Sequence, residues 1–146
     1  MYDVFICSKV NGEYHSTLNQ RLKEIVEDQG FSVYLPQAQL PIDANLDALA
    51  ILEANERSVD ASKILLIVFD GIDLGGAMEA ERGYIRNKVI IGYRTKEEDI
   101  GKMMEGYWKR IQGACKASSL EDVYRILKNL KANLSNKGPE EKNGWS

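Results

Sequence analysis

Short apolar runs alternate with amphipathic stretches along the chain. An unbroken apolar run predicts a strand buried on both faces, whereas apolar residues at every third or fourth position predict a helix that buries one face. The runs predict four strands and a short fifth, at residues 2–7, 31–36, 63–70, 88–95 and 114–118. The amphipathic stretches predict helices at residues 15–30, 44–62, 75–87, 103–113 and 119–134. Between strand and helix, residues 37–43 are expected to form a loop.

Two of these helices carry more detailed expectations. In the helix at 15–30, Ser16 or Thr17 is expected to cap the first turn, and Gly30 is expected to end the helix. In the helix at 44–62, one apolar stripe is expected to be buried. Its members are Leu46, Leu49, Ala50 and Leu52.

Strands that alternate with helices predict an α/β fold. We expect an open doubly wound sheet, flavodoxin- or Rossmann-like, of four to five mainly parallel strands flanked by helices. Residues 1–134 are expected to form a single domain and residues 135–146 a flexible C-terminal tail. In such folds ligands bind beyond the carboxyl ends of the strands. That rule selects residues 7–12, 36–41, 70–79 and 93–96.

Composition narrows the functional classes. The chain of 146 residues is 44% hydrophobic and 28% charged, with a formal net charge of -3, which argues against general affinity for nucleic acid or anionic membranes. Cys7 and Cys115 fit a reducing cytosol, and the presence of one histidine argues against a histidine-based zinc site. With neither a signal peptide nor a 20-residue apolar stretch in the sequence, a cytoplasmic protein without a metal is expected.

The densest candidate chemistry follows the strand at 63–70. Asp70 ends that strand, Gly71 suits a turn, and Asp73 follows. Gly75 and Gly76 allow backbone to approach a ligand at the start of a helix, and Glu79 falls one turn further on. The helix dipole is expected to hold Glu79 ionised, as a nucleophile needs. Two carboxyl groups in different environments suit cleavage of a glycosidic bond, although an ordinary solvated loop and helix would look similar.

The same stretch resembles the nucleoside 2-deoxyribosyltransferase family, which includes related nucleoside monophosphate N-glycosidases. Members carry an apolar strand, an Asp-Gly turn, a glycine four residues before a catalytic glutamate, and a lysine nine residues after it. Here those positions are Asp70-Gly71, Gly75, Glu79 and Lys88. The likeness extends over roughly residues 2 to 112.

The resemblance implies a double displacement without a cofactor. Glu79 would attack the anomeric carbon and expel the base, with Asp70 or Asp73 donating a proton or a hydrogen bond to it. A second base or water would then take the sugar. The implied partners are a nucleoside or nucleotide and a free base, and the implied assembly is a homo-oligomer, a dimer or larger.

Two positions depart from the family pattern. Glu81 stands where the family usually has glycine, and is expected to place a charge near the site. Lys102 stands where many relatives have an asparagine that assists sugar binding, often in a neighbouring subunit's site. The apolar stripe that follows is expected to pack on the core or to form a subunit contact. Its members are Met103, Met104, Tyr107 and Trp108.

Other polar residues are candidates by position alone. Ser8 and Lys9, after the first strand, suit a ribose or a 5′-phosphate, and Gln37 suits the edge of a base. Arg94 is expected to bind phosphate, or to pair with Asp70 or Glu97.

Three residues are expected to be structural. His15 is expected to start a helix, Tyr34 to pack on the sheet, and Cys7 to be a small buried residue rather than a nucleophile.

Two other functions compete with glycosyl transfer. Residues 2–7 resemble the opening of TIR domains, signalling modules of similar architecture that can cleave NAD with a glutamate. A catalytically inactive nucleotide sensor is the other alternative, and the changes at Glu81 and Lys102 would be its signs.

Overall fold

One parallel sheet organises the computed structural model, which describes residues 3–39, 45 and 47–135. Its order is β2-β1-β3-β4-β5. The strands are β1 (Val4–Cys7), β2 (Val33–Tyr34), β3 (Ile64–Val68), β4 (Val89–Tyr93) and β5 (Lys116–Ala117). From β1 the chain adds β2 on one side and β3, β4 and β5 on the other, so the strand order switches between β1 and β3. This order confirms the open doubly wound α/β fold.

Helices cover both faces of the sheet. They are α1 (Glu13–Asp28), α2 (Pro36–Gln39), α3 (Ala48–Ala61), α4 (Leu74–Ile85), α5 (Lys102–Arg110) and α6 (Leu120–Ser135). A 3₁₀ turn, Gly113–Cys115, precedes β5. Among the described residues, no helix combines the length and the apolar character needed to cross a bilayer.

The central strands have apolar side chains on both faces, and their alternation assigns each residue to one layer. Leu65 of β3 lies in register between Phe5 of β1 and Ile90 of β4. Alternate residues such as Ile6 and Leu66 pack with the α1 and α6 side, and the intervening ones pack with α4 and α5. Cys7 belongs to the second set, so its side chain faces α4.

The first helix starts earlier than its polar residues predict. It begins at Glu13 after Gly12, with no side-chain cap, so the expected capping by Ser16 or Thr17 is wrong. Gly12 adopts a φ of 94°, a conformation that favours glycine and turns the chain into the helix without a cap. Gly30, with a φ of 84°, donates its N–H to the Glu27 carbonyl just past the helix end, as expected of a terminating glycine.

The apolar stripe expected on α3 is not buried. Leu49 is 62% exposed and Leu52 is 40% exposed, while Val59 is the buried residue of this helix; Leu46 lies outside the described residues. The second half of α3 is tied to α4 by ion pairs of Arg82 with Glu56 and Asp60. A cavity lies between α3 and α4, and Leu52 is one of the residues that line it. Helical periodicity identifies an apolar face but not the element that covers it.

Two further expectations concern connecting segments. Part of the loop expected at 37–43 is a helical turn, because Pro36–Gln39 forms α2, where the Ala38 and Gln39 N–H groups donate to the Leu35 carbonyl. The remainder of that loop, and residues 136–146 of the expected tail, lie outside the described residues.

Candidate active site

The start of α4 is built at the carboxyl edge of the sheet. The Asp73 carboxylate accepts a hydrogen bond from the Gly76 N–H at 2.8 Å, which caps the helix. A Cβ added at Gly76 would lie 3.0 Å from Ile72 Cγ1, so the missing side chain lets this turn pack tightly. Glu79 follows on the second turn and is partly buried.

Glu79 forms part of the wall of a cavity between α3 and α4. The cavity has a volume of about 320 Å³. Its walls are mostly apolar and are formed by Ala48, Ile51, Leu52, Asn55, Glu56, Val59, Gly75, Met78, Glu79 and Arg82. A carboxyl group therefore meets an apolar space large enough to hold a ring-sized ligand.

Burial decides the charge state of Glu79. Burial is the main cause that raises the pKa of Glu79 to about 7. The neighbouring Cys7 thiol acts to lower the pKa, and the negative charge of Asp73 acts to raise it. The expectation that the helix dipole holds Glu79 fully ionised is wrong. The free N–H groups of a helix belong to its first turn, and Glu79 lies beyond it. A pKa near 7 suits a group that exchanges charge during a reaction.

Cys7 lies directly beside Glu79. Its thiol is buried at the end of β1 and donates a hydrogen bond to the Gly76 carbonyl at 3.1 Å. Burial, followed by the charge of Glu79, raises the pKa of the Cys7 thiol well above its usual value. Cys7 is thus a neutral, buried thiol near Glu79.

Asp70 joins the ends of two strands. Its buried carboxylate accepts hydrogen bonds from the Thr95 N–H at 3.0 Å, the Thr95 hydroxyl at 2.6 Å and the Lys96 N–H at 3.2 Å. These bonds tie the segment after β4 to the end of β3. The part that Asp70 plays in proton transfer stays a prediction.

Asp70→Ala is expected to lower the free energy of unfolding by about 3 kcal/mol, because it leaves the Thr95 and Lys96 donors without their acceptor. Asp73→Ala, which removes an exposed helix cap, is expected to cost about 1 kcal/mol. Urea unfolding followed by circular dichroism measures both. Equal losses in the two variants would contradict the tethering role of Asp70.

The Asp-Gly turn rests on His15. Gly71 has a φ of 67°, and a Cβ added there would lie 2.9 Å from His15 Cε1. The His15 Nε2 atom lies 2.7 Å from the Asp70 carbonyl oxygen. Glycine is therefore needed at residue 71 for its backbone conformation and for the space it leaves, and His15 in the first turn of α1 supports the turn.

A buried asparagine connects the ends of β1 and β2. The Asn19 amide donates to the Lys9 carbonyl at 3.0 Å and to Gln37 Oε1 at 2.9 Å, and its own Oδ1 is buried with no hydrogen-bond partner among the described residues. Sequence reasoning missed Asn19. The available signal was a polar residue inside the apolar stripe of α1, between Leu18 and Leu22.

The other predicted binding residues lie apart from the cavity. Ser8 is buried with its hydroxyl 3.5 Å from the Lys9 carbonyl, and neither Ser8, Lys9, Gln37 nor Arg94 is among the described residues that line the Glu79 cavity. Of the predicted set, the cavity wall contains Gly75 and Glu79.

Arg94 makes a different ion pair from the two expected. Its guanidinium donates to both carboxylate oxygens of Glu105 on α5, at 2.7 and 3.0 Å, and to the Glu98 carbonyl at 3.0 Å. Asp70 and Glu97 are therefore the wrong partners. The bidentate pair braces α5 against the end of β4, and binding of phosphate by Arg94 stays a prediction.

The two departures from the family pattern face away from the cavity or toward solvent. Glu81 pairs with Arg110 of α5, so the expectation that it adds a charge at the site is wrong. Two residues along a helix point to different faces, which is why Glu79 and Glu81 have different neighbours. Lys102 is the exposed first residue of α5.

The packing predicted for two aromatic regions is observed, with one exception. Tyr34 stacks on Phe5 with ring centroids 5.2 Å apart. Met104, Tyr107 and Trp108 of α5 pack on the core, whereas Met103 is 90% exposed.

Residues 4–113 match the family model of the nucleoside 2-deoxyribosyltransferases. The chain belongs to this family. Comparison with curated proteins gives no match. In this deoxyribosyltransferase-family chain, the matched region includes the Asp-Gly turn and the first turns of α4 that surround Glu79.

Solved structures share the fold of this family member. A conserved protein from Enterococcus faecalis V583 is 20% identical, with a TM-score of 0.68, and the match covers 89% of this chain and 99% of that one. A 2-deoxyribosyltransferase from the psychrotolerant bacterium Bacillus psychrosaccharolyticus is 16% identical, with a TM-score of 0.66, covering 87% of this chain and 90% of that one. At these identities the likeness establishes the fold.

Proposed function

We propose that this protein transfers or hydrolyses the sugar of nucleosides or deoxynucleosides, or of their 5′-monophosphates, at the N-glycosidic bond. Family membership supports glycosyl transfer of the deoxyribosyltransferase type. The observation that carries the proposal is Glu79, a partly buried carboxyl group with a pKa of about 7 in the wall of an apolar cavity.

The reaction proceeds in two displacements. The ionised Glu79 carboxylate attacks the anomeric carbon, the carbon–nitrogen bond breaks, and its electron pair leaves with the base. A nitrogen of a second base, or water, then attacks the same carbon and releases Glu79. The first route makes the protein a transferase and the second makes it a hydrolase. Neither route requires a cofactor.

We assign proton delivery to the departing base to Asp73 rather than Asp70. Asp73 is exposed at the start of α4, close to Glu79, and it accepts the Gly76 N–H through Oδ1. The Asp70 carboxylate is instead buried and occupied by donors from residues 95 and 96. Asp70 thus acts as a positioning residue that holds two strand ends together.

The remaining contacts follow from placement at the carboxyl edge. Ser8, Lys9 and Gln37 are assigned to the sugar, its phosphate or the base edge, and the backbone of Gly71, Gly75 and Gly76 approaches the ligand. The apolar walls of the cavity, including Ile51, Leu52 and Met78, suit a base ring. Arg94 contributes by bracing α5.

A homo-oligomer is part of the proposal. Leu49 and Leu74 are 62% and 81% exposed, Leu52 and Met78 are also exposed, and the last two lie in the cavity wall. Large exposed apolar side chains are a feature of protein contact surfaces. A second copy of the chain is the partner we assign to it.

The proposal is tested by incubating the purified protein with deoxynucleosides, ribonucleosides and their 5′-monophosphates, with and without a free acceptor base. Chromatography follows released and exchanged base. Exchange establishes a transferase, and release without exchange establishes a hydrolase. Cleavage of NAD alone would support the TIR-like alternative, and ligand binding without turnover across the panel would support an inactive sensor; either result would overturn the proposal.

A further inference from the structure

The turn after β3 has two possible orientations of its central peptide. The Ile72 N–H donates to the Phe69 carbonyl at 3.2 Å, so Asp70 and Gly71 are the central residues of the turn. Gly71 has a φ of 67°, and Asp70 is not among the described residues with a positive φ. This combination is typical of a type II turn. In a type I turn the peptide that joins Asp70 to Gly71 would be rotated by roughly half a turn.

His15 holds the carbonyl group of that peptide. Its Nε2 atom lies 2.7 Å from the Asp70 carbonyl oxygen, and because a carbonyl only accepts, Nε2 carries the proton and donates. The ring also packs on the turn, since a Cβ added at Gly71 would lie 2.9 Å from His15 Cε1. Rotation of the peptide would turn the carbonyl away from His15 and break this hydrogen bond. His15 therefore favours the type II form.

The same hydrogen bond determines where the Gly71 N–H points. In a trans peptide the C=O and N–H groups point in opposite directions, so the Gly71 N–H is directed away from His15. This N–H has no hydrogen-bond partner within the described part of the chain, and Gly71 is exposed. The turn lies at the carboxyl edge, between β3 and the Asp73 cap of α4. A backbone donor is thus available where ligands bind in this kind of fold.

We propose that His15 is a positioning residue that presents the Gly71 N–H as a hydrogen-bond donor to a hydroxyl oxygen of the bound sugar. The inference rests on the proposed function, which supplies the sugar. Gly71 is not among the described residues that line the apolar cavity assigned to the base. The sugar is therefore the part of the ligand that we expect at this turn.

The charges of the turn favour a sugar hydroxyl over a phosphate. The Asp70 carboxylate accepts from Thr95 and Lys96, and the Asp73 carboxylate accepts from the backbone of α4. Two carboxylates this close would repel a phosphate, whereas a hydroxyl group is neutral and accepts as well as donates. The Gly71 N–H is the group of the turn that can donate to it.

The first test compares His15→Phe, which keeps a ring but has no donor, with His15→Gln, whose side-chain N–H can replace that of Nε2. Tyr14→Phe is the matched control, because Tyr14 precedes His15 on α1 and its ring contacts the His15 ring edge to face. The NMR signals of the Asp70 carbonyl carbon and the Gly71 amide report the peptide orientation without any turnover. In His15→Phe we expect both signals to move or to split into two sets, and in the other two variants to stay near the wild type. Unchanged signals in His15→Phe would overturn the inference.

The second test follows the Gly71 amide in Glu79→Gln, which binds substrate without turning it over, during titration with deoxynucleosides and their 5′-monophosphates. The Gly71 signal is expected to shift with both. Binding that leaves it unmoved, or a shift confined to the monophosphates, would overturn the inference alone. A shift with both ligands in a protein whose wild type has no turnover would retain the inference and overturn the proposed function. Absence of binding and turnover would overturn both.

Kinetics separate presentation of the donor from a merely structural role. We expect His15→Phe to lower kcat/KM about tenfold, mainly through a higher KM, because the hydrogen bond to the sugar exists before the glycosidic bond breaks. His15→Gln is expected to restore kcat/KM to within about twofold of the wild type. A loss confined to kcat, with KM unchanged, would indicate less folded protein and overturn the inference.

A measurement on the wild type covers the case in which His15→Phe does not fold. A scalar coupling across the hydrogen bond, between His15 Nε2 and the Asp70 carbonyl carbon, is expected in the NMR spectrum. Its absence would overturn the inference.

Discussion

Replacing Glu79 with glutamine is expected to lower glycosyl transfer on the order of a thousandfold or more at pH 8. Glutamine keeps the size and shape of the side chain in the cavity wall but has no anionic oxygen to attack the anomeric carbon. Because Glu79 has a pKa of about 7, most of the wild-type protein carries the reactive carboxylate at that pH. Base release and base exchange, followed by chromatography, measure the loss.

Glu81→Gln is the matched control for this prediction. Glu81 lies two residues later on the same helix, is paired with Arg110, and is absent from the described lining of the cavity. We expect its activity to stay within about twofold of wild type. Equal losses in the two variants would contradict the assignment of the nucleophile, and full activity in Glu79→Gln would exclude Glu79 from that role.

A covalent intermediate can be sought in the same experiment. The wild type is mixed with substrate without an acceptor base and quenched in acid, and its peptides are analysed by mass spectrometry. The added mass of the sugar is expected on the peptide that contains Glu79 and on no peptide of Glu79→Gln. An adduct on the Cys7 peptide would instead identify the thiol as the nucleophile.

The sheet could be predicted from the sequence because its signal is local. The uninterrupted apolar run of β3 requires burial on both faces, and the same pattern recurs in β1 and β4. The rule that ligands bind beyond the carboxyl ends of parallel strands then led to the turn at Asp70 and Gly71 and to the first turns of α4.

The charge state of Glu79 could not be predicted in this way. Cys7 and Gly76, whose hydrogen bond brings β1 onto α4, are 69 residues apart in the sequence. Only the parallel pairing of β1 with β3 places them together, and that packing buries Glu79. The helix dipole depends on the local backbone, which can be predicted from the sequence. The burial of Glu79 depends on tertiary packing, and burial has the larger effect on its pKa.

The sequence also could not predict which side chains and elements contact each other. Arg94 had acidic candidates nearby in the sequence, yet its partner is Glu105, which the start of α5 brings to the end of β4. The stripe predicted on α3 is apolar, but Leu49 and Leu52 are exposed, and Leu52 lines the cavity rather than the core. Both errors arise because a pattern along one element does not specify what packs against it.

Glu79→Gln is also expected to stabilise the folded protein above neutral pH. The pKa of Glu79 rises from 4.5 to about 7 in the folded state, so between those pH values the folded state holds a proton that the unfolded state has lost. Below pH 4.5 Glu79 is protonated in both states and costs the fold nothing. As the pH rises from 4.5 to 7, the free energy of unfolding therefore falls. Above pH 7 the penalty is about 3 kcal/mol, and glutamine, which does not titrate, is free of it.

The measurement is urea unfolding of both proteins at pH 4 and pH 8. We expect the variant to be more stable than wild type by about 3 kcal/mol at pH 8 and to differ by less than about 1 kcal/mol at pH 4. Glu81→Gln, which loses a surface ion pair, is expected to change stability by less than about 1 kcal/mol at either pH. A difference for Glu79→Gln that is the same at both pH values would mean that the ionised carboxylate is not penalised by its burial. A group that destabilises the fold in the charge state its chemistry needs is better explained by function than by structure.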